Sequence, residues 1–152
     1  MTITYQVESW SRYYSDCQEL WKLHYAEFAP FHRGKLEFGP DVEMYQALER
    51  AGQLQILVAR SAGVMVGYCL MVAKRHPHYT NICGFEDSYF VQREFRKGWN
   101  GIKLIKRSVE LMNKRGVTVC YFMTKEFNSI ALMFEWLKFR KCDTVYCTGL
   151  GE

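Results

Sequence analysis

Residues 82–101 read ICGFEDSYFVQREFRKGWNG, and this stretch decides the fold. Residues 82–91 are mostly apolar or aromatic, which predicts a strand. That strand is unusual in carrying Glu86 and Asp87 inside an apolar run. Residues 93–101 (REFRKGWNG) then make a basic loop with two glycines. Beyond it Ile102, Ile105, Val109 and Met112 recur at helical spacing. Gly116 is placed to stop that helix, and residues 117–123 (VTVCYFM) predict the next strand. A strand–helix–strand unit of this length implies one parallel crossover.

The flanking sequence reads as antiparallel. Residues 54–60 (LQILVAR) and 64–73 (VMVGYCLMVA) predict strands around the turn Ser61, Ala62, Gly63, hence a hairpin. Residues 74–81 (KRHPHYTN) turn again into the acidic strand. Towards the N-terminus, residues 3–7 (ITYQV) alternate as a first strand. Tyr13, Tyr14, Cys17, Leu20, Trp21, His24, Tyr25 and Phe28 form one helical stripe. Residues 30–40 carry two prolines and two glycines and predict a loop. Asp41 then caps a helix with Val42, Tyr45 and Leu48 on one face. Towards the C-terminus a helix is expected from Asn128, with Ile130, Met133, Phe134 and Leu137 inward. A last strand is expected over residues 141–150. The expected order is β-α-α-β-β-β-α-β-α-β, in one domain spanning residues 1–152.

Composition excludes several classes. At 152 residues and 49% hydrophobic, the chain is too short for two ordinary domains and too apolar for disorder. It has no apolar run of the roughly 18–20 residues a membrane span needs. No basic segment leads into an apolar one at the N-terminus, so a cytoplasmic protein is expected. Cys17, Cys69, Cys83, Cys120, Cys142 and Cys147 contain no C-x-x-C pair, and three lie in strand-like runs, so reduced thiols are expected. The four histidines do not form a metal set. Aromatic residues reach 16%, which serves either a dense core or a stacking site. Most fall at helix or strand periods, whereas Trp99, Tyr79, Phe31 and Phe38 are off-period.

The net charge of +4 is concentrated. Residues 93–115 hold eight basic residues against Glu94 and Glu110, a local +6 that leaves −2 for the rest. A basic focus on a near-neutral body points to one anionic ligand. The loop supports that reading, because amides at a helix N-terminus face the positive end of the macrodipole. Gly98 and Gly101 permit backbone shapes closed to other residues, and Arg96 and Lys97 add charge. The chemistry is that of a phosphate or pyrophosphate cradle, without the signature of a Walker loop or a dinucleotide fingerprint.

With the order of elements around it, this loop resembles that of the GNAT superfamily of N-acyltransferases, over almost the whole chain. There a fourth strand enters a Q/R-x-x-G-x-G/A loop that holds the pyrophosphate of acetyl-coenzyme A. Here Arg96 matches the leading position and Gly101 the last. Residues 90–96 (FVQREFR) look like the family's YVxPxYR approach. Residues 128–139 (NSIALMFEWLKF) resemble its N..A..LYEKLGF helix, with Asn128 at the asparagine. HPHY, FEDSYFV and FRKGWNGIKLIK are most similar to GNAT-like proteins encoded by bacteriophages. The chain departs from the family at three places. Trp99 stands at the first motif glycine, Phe134 at the tyrosine that often protonates the leaving thiolate, and Lys138 at the glycine of LGF.

The resemblance implies an α/β fold with a central, mostly antiparallel mixed sheet, one parallel crossover and helices on both faces. It implies acetyl transfer from acetyl-CoA to an amine by direct attack in a ternary complex. Cofactor contacts are then expected from Tyr89, Phe90, Val91, Arg96, Lys97, Gly98, Trp99, Asn100, Gly101 and Asn128. It places acyl transfer in the host cytoplasm if the protein is phage-encoded, with an unknown amine acceptor and a homodimer as an option. The attacking amine must be neutral, and Glu86 or Asp87 is the candidate base. Adjacent strand residues face opposite sides, so one of them faces the cleft, and Glu86 is slightly favoured. His78, with His76, is a candidate proton relay, and Tyr121, with Tyr146, a candidate acid. Residues 30–40 and 75–79 are expected to frame the acceptor pocket. Two other readings stand beside the enzyme: a catalytically silent GNAT-like binding module, such as a viral antagonist of a host factor, and nucleic-acid binding through Lys103, Lys106, Arg107 and Lys114. No nucleic-acid motif accompanies those four residues, so the last is disfavoured.

Overall fold

The computed structural model describes residues 2–28, 38–125 and 130–145. At its centre lies the hairpin expected from the sequence, β2 (Leu54–Ser61) and β3 (Val64–Arg75), closed by the two-residue turn Ala62-Gly63. β1 (Ile3–Val7) adds to β2, and β4 (Ile82–Val91) to β3, all antiparallel. β5 (Val119–Tyr121) joins β4 in parallel after the crossover helix α4 (Asn100–Lys114). The described sheet therefore runs β1-β2-β3-β4-β5 with a single parallel step.

Helices cover both faces, and the strand alternation shows why β2 and β3 are buried almost end to end. Ile56, Val58, Tyr68 and Leu70 face α1 (Trp10–Asp16), α2 (Gln18–Phe28) and α3 (Val42–Arg50), where Trp10, Tyr13 and Trp21 complete one core. Leu57, Ala59, Cys69 and Met71 face the other way, onto Leu104 and Met112 of α4. Buried Arg60 ties the first core to its helices, since its guanidinium holds both oxygens of Glu8 and also Asp16 at the end of α1.

Three expectations need correction. The single stripe over residues 13–28 is two helices, parted at Cys17. The amide of Cys17 still bonds the Tyr13 carbonyl, and its own carbonyl accepts from Trp21, so the apolar face continues across the break. Asp16, drawn onto Arg60, fixes α1 where it stops. The strand expected over residues 117–123 is only Val119–Tyr121, because its partner β4 is diverted just beyond Phe85. Residues 141–145 form no strand, and 146–150, with Tyr146, lie outside the described residues. The helix expected from Asn128 is α5 (Ile130–Trp136), and Asn128 itself is outside them. The Asp41 cap is present: its carboxylate accepts from the Met44 amide at 2.9 Å. Among the described residues no helix is long and apolar enough to cross a membrane.

Candidate active site

The site grows from one irregularity in β4. Leu70 of β3 faces Ser88 and Met71 faces Glu86, so Asp87 is an extra residue, a β-bulge. The two carboxylates point to opposite faces, as strand neighbours do, and the bulge keeps Ser88 on the face of Asp87. Glu86 lies on the α4 side with its partner Met71, whereas Asp87 reaches towards α3, where the Tyr45 hydroxyl donates to it at 2.7 Å. The parallel ladder from β4 to β5 ends at Phe85 opposite Tyr121. Beyond that point the strands fork, and the Glu86 carboxylate spans the opening to accept from the Met123 amide at 3.3 Å.

Glu86 is 8% exposed. Desolvation pushes its carboxyl up to about 7, with the Met123 amide pulling weakly the other way. It therefore exchanges its proton near neutrality, as a general base must. Apolar surroundings raise Asp87 as well, opposed by the Tyr45 hydroxyl. Tyr89, also on the α4 side, is held protonated by burial.

Past the fork, β4 runs through the 3₁₀ turn Arg93–Phe95 into the basic loop. Gly98 there has φ +73°, a left-handed backbone that other residues adopt only with strain. Gly101 lets the loop close onto β4, because a Cβ there would collide with the Tyr89 hydroxyl. Trp99 precedes α4 without a side-chain cap, so the first-turn amides have neither a capping side chain nor intrahelical acceptors. A glycine-shaped loop leading into uncapped amides fits a pyrophosphate.

The other expected contacts are placed as follows. Arg96 is already engaged: its Nε donates to the Val91 carbonyl at 2.7 Å, and its two Nη atoms hold Glu27 of α2 at 2.8 and 2.5 Å. It also lies over the Phe90 ring. Asn100 uses its amide to donate to the Phe95 and Lys97 carbonyls, bracing the loop. Trp99 is 55% exposed and meets Trp136 of α5 at 5.0 Å, and the pair walls a hollow of about 440 Å³ with Gly98 and Ile102. Phe90 and Val91 are buried, which leaves their strand backbone as the surface a ligand arm would follow.

The structure does not bring His78 and Tyr121 to Glu86. His78 is exposed in the turn beyond Ile82, and Ile82 alone is four residues from Glu86, roughly 13 Å along a strand. Tyr121 stacks on Phe85 at 5.2 Å, on the opposite face of the sheet from Glu86. Phe134, at the position of the family tyrosine, is buried between Phe122 and Phe139. Sequence reading missed Tyr45 and Glu27 as site residues. Tyr45 looked like one more apolar-face residue, and nothing local links it to Asp87, 42 positions away.

A mixed sheet that forks between a bulged fourth strand and a parallel fifth, over a glycine-shaped loop and an uncapped helix, is the architecture of the GNAT class of acetyltransferases. The sequence matches the Acetyltransferase (GNAT) family over residues 8–139, and the chain belongs to that family. No curated protein matches it. A predicted acetyltransferase with acetyl-CoA from Clostridium acetobutylicum superposes with a TM-score of 0.77 at 11% identity, over 98% of this chain and 97% of that one. Glucosamine-6-phosphate N-acetyltransferase from Arabidopsis thaliana gives 0.73 at 11%, covering 99% and 100%. Ribosomal-protein-alanine N-acetyltransferase from Brucella melitensis biovar Abortus 2308 gives 0.71 at 14%, again covering 99% and 100%. At these identities the likeness is one of fold.

Proposed function

We propose that the protein is an acetyl-CoA-dependent N-acetyltransferase that transfers the acetyl group directly to an acceptor amine within a ternary complex. One observation carries this reading: Glu86, a buried carboxyl titrating near neutrality, stands on the wall of the β4–β5 fork above the loop. The amides around Gly98 and Gly101 hold the pyrophosphate, with Lys97 and Trp99 beside them. The backbone of Tyr89, Phe90 and Val91 carries the pantetheine arm. Asn128, outside the described residues, is the remaining expected contact. Acetyl-CoA supplies an activated thioester: the amine nitrogen bonds the acyl carbon, the C–S bond opens, and the sulfur leaves with the electron pair. Glu86 takes the proton the amine sheds. Asp87 holds countercharge on the acceptor side.

Acetyl-CoA turnover against a panel of amines tests this, with Glu86→Gln and Asp87→Asn in parallel. Loss of the base is expected to lower kcat/KM about 10²- to 10⁴-fold in Glu86→Gln. Unchanged activity in both variants refutes the assignment. Phe134 favours a second reading, the catalytically silent binding module, because its buried ring offers no hydroxyl to the leaving thiolate. A thiolate is a far weaker base than an alkoxide or amide ion and departs without a proton donor, so the enzyme reading is preferred. Absence of heat on titration with millimolar acetyl-CoA selects the second.

A further inference from the structure

On the face of the sheet away from α4 lies a cavity of about 190 Å³ whose wall is aromatic: Trp21, Tyr25, Phe38, Tyr45 and Tyr68 all contribute. The rings are braced. Phe38 meets Trp21 edge-on at 5.8 Å and lies 5.1 Å from Tyr25. The Trp21 indole donates to the Tyr13 hydroxyl, and the Tyr68 hydroxyl pairs with His24 Nδ1, both at 2.7 Å. Among the described residues no lysine, arginine, aspartate or glutamate lines the cavity. Its histidine is neutral at pH 7, since burial pulls His24 down to about 4. Asp87 and Glu27 place carboxylates near the wall: Asp87 is held by the Tyr45 hydroxyl next to the wall residue Ser88, and Glu27 is paired with Arg96 near His24.

We propose that this cavity, on the acetyltransferase reading above, is the acceptor pocket and takes a primary alkylammonium group between its aromatic faces, with Asp87 as counter-ion. Ring faces attract cations, and no cationic side chain is among the described residues of this wall. An anionic acceptor such as a sugar phosphate finds no basic side chain among its described residues. The volume of about 190 Å³ is below the roughly 300 Å³ at which drug-sized sites begin, so the group that enters it is a slim aliphatic chain and not a fused or multi-ring amine. The bulge that carries Asp87 and Ser88 is also where β4 turns towards the fork. Asp87 on this face and Glu86 on the other are neighbours in β4, so the cavity borders the stretch of strand that carries the base.

Calorimetry without acetyl-CoA tests this. 1,5-Diaminopentane is expected to bind at least tenfold more tightly than 1,5-pentanediol, which has the same shape without the charge. Phe38→Ala, at a half-exposed ring, is expected to weaken the diamine about threefold to tenfold. Asp87→Asn should weaken it further. Nα-Acetyl-lysinamide, the same ammonium on a peptide unit, separates a free amine from a protein side chain as the source. Equal binding of diol and diamine, or undiminished diamine binding in Phe38→Ala, overturns the proposal. Acetyl-CoA is titrated separately. Failure of that arm alone counts against the transferase reading and leaves the pocket standing.

Discussion

At the scale of single residues, Glu86 serves activity against stability. Its folded carboxyl titrates near 7, above the ordinary value of 4.5, because burial penalises the anion. A carboxyl raised in this way binds its proton more tightly folded than unfolded. Its contribution is therefore most favourable below about 4.5 and declines as pH rises towards 7. Glu86→Gln keeps a carbonyl oxygen for the Met123 amide and removes the ionisation. The variant is expected to be more stable than the parent at pH 8, on the order of 2 kcal/mol, and to lose the decline between pH 5 and 7. Denaturant melts at pH 5 and pH 8 read this directly. Parent activity should rise with pH through an apparent pKa near 7. A glutamine variant less stable than the parent at pH 8 would show that the Met123 bond needs the charge, and would remove the reason to read Glu86 as a base in waiting.

At the scale of elements, the sequence is legible where the determinants are local. The Asp41 cap, the hairpin turn and the loop before α4 lie within a few residues of what they control; the cap stands as read, and the turn is Ala62-Gly63, with Ser61 taken into β2. The end of α5 shows a local rule obeyed by an unexpected residue. Lys138 donates to the Glu135 carbonyl and Phe139 to that of Phe134, while the Phe134 and Phe139 rings stack at 5.4 Å. This is the Schellman closure, which puts its C′ residue in the left-handed region. Lys138 sits there with φ +64°, at the place where the family has glycine. A side chain in that conformation costs about 1 kcal/mol. Lys138→Gly should therefore raise stability by about 0.5–1 kcal/mol, the gain trimmed by the freer unfolded chain. Differential scanning calorimetry would register this as a Tm increase of about 1–4 °C. A lower Tm would mean the lysine side chain makes a contact worth more than the strain.

At the scale of the whole molecule, the site is set by partners that no spacing rule connects. Tyr45 and Asp87 are 42 positions apart, Glu27 and Arg96 are 69, and the Tyr5 hydroxyl meets the Asn100 carbonyl across 95. Sequence reading thus found the loop and both carboxylates but not what aims them. Nothing in the local sequence links Arg96 to Glu27, which holds it in this structure. Sequence reading placed Glu86 and Asp87 on opposite faces, as the structure does, but did not reveal the bulge, which keeps Ser88 on the face of Asp87 and returns Tyr89 to that of Glu86. The Glu27–Arg96 pair is about 40% exposed on both sides, so it adds little stability, and its effect is to fasten the loop to α2. With the loop held to α2 by Glu27 and to β1 by Tyr5, a ligand seated on it should stabilise the chain as one unit. Acetyl-CoA at about 100 times its Kd is worth ~2.7 kcal/mol to a native state that alone binds it. For a chain of 152 residues that is a Tm rise of about 5–10 °C. Gly101→Ala should abolish most of this rise, because the new Cβ forces Tyr89 and the first turn of α4 apart and spoils the amide cradle. Without ligand its Tm should fall by only a few degrees, since the strained contact is a single hydroxyl. An alanine variant that keeps the full acetyl-CoA shift would place the coenzyme phosphates somewhere other than this loop.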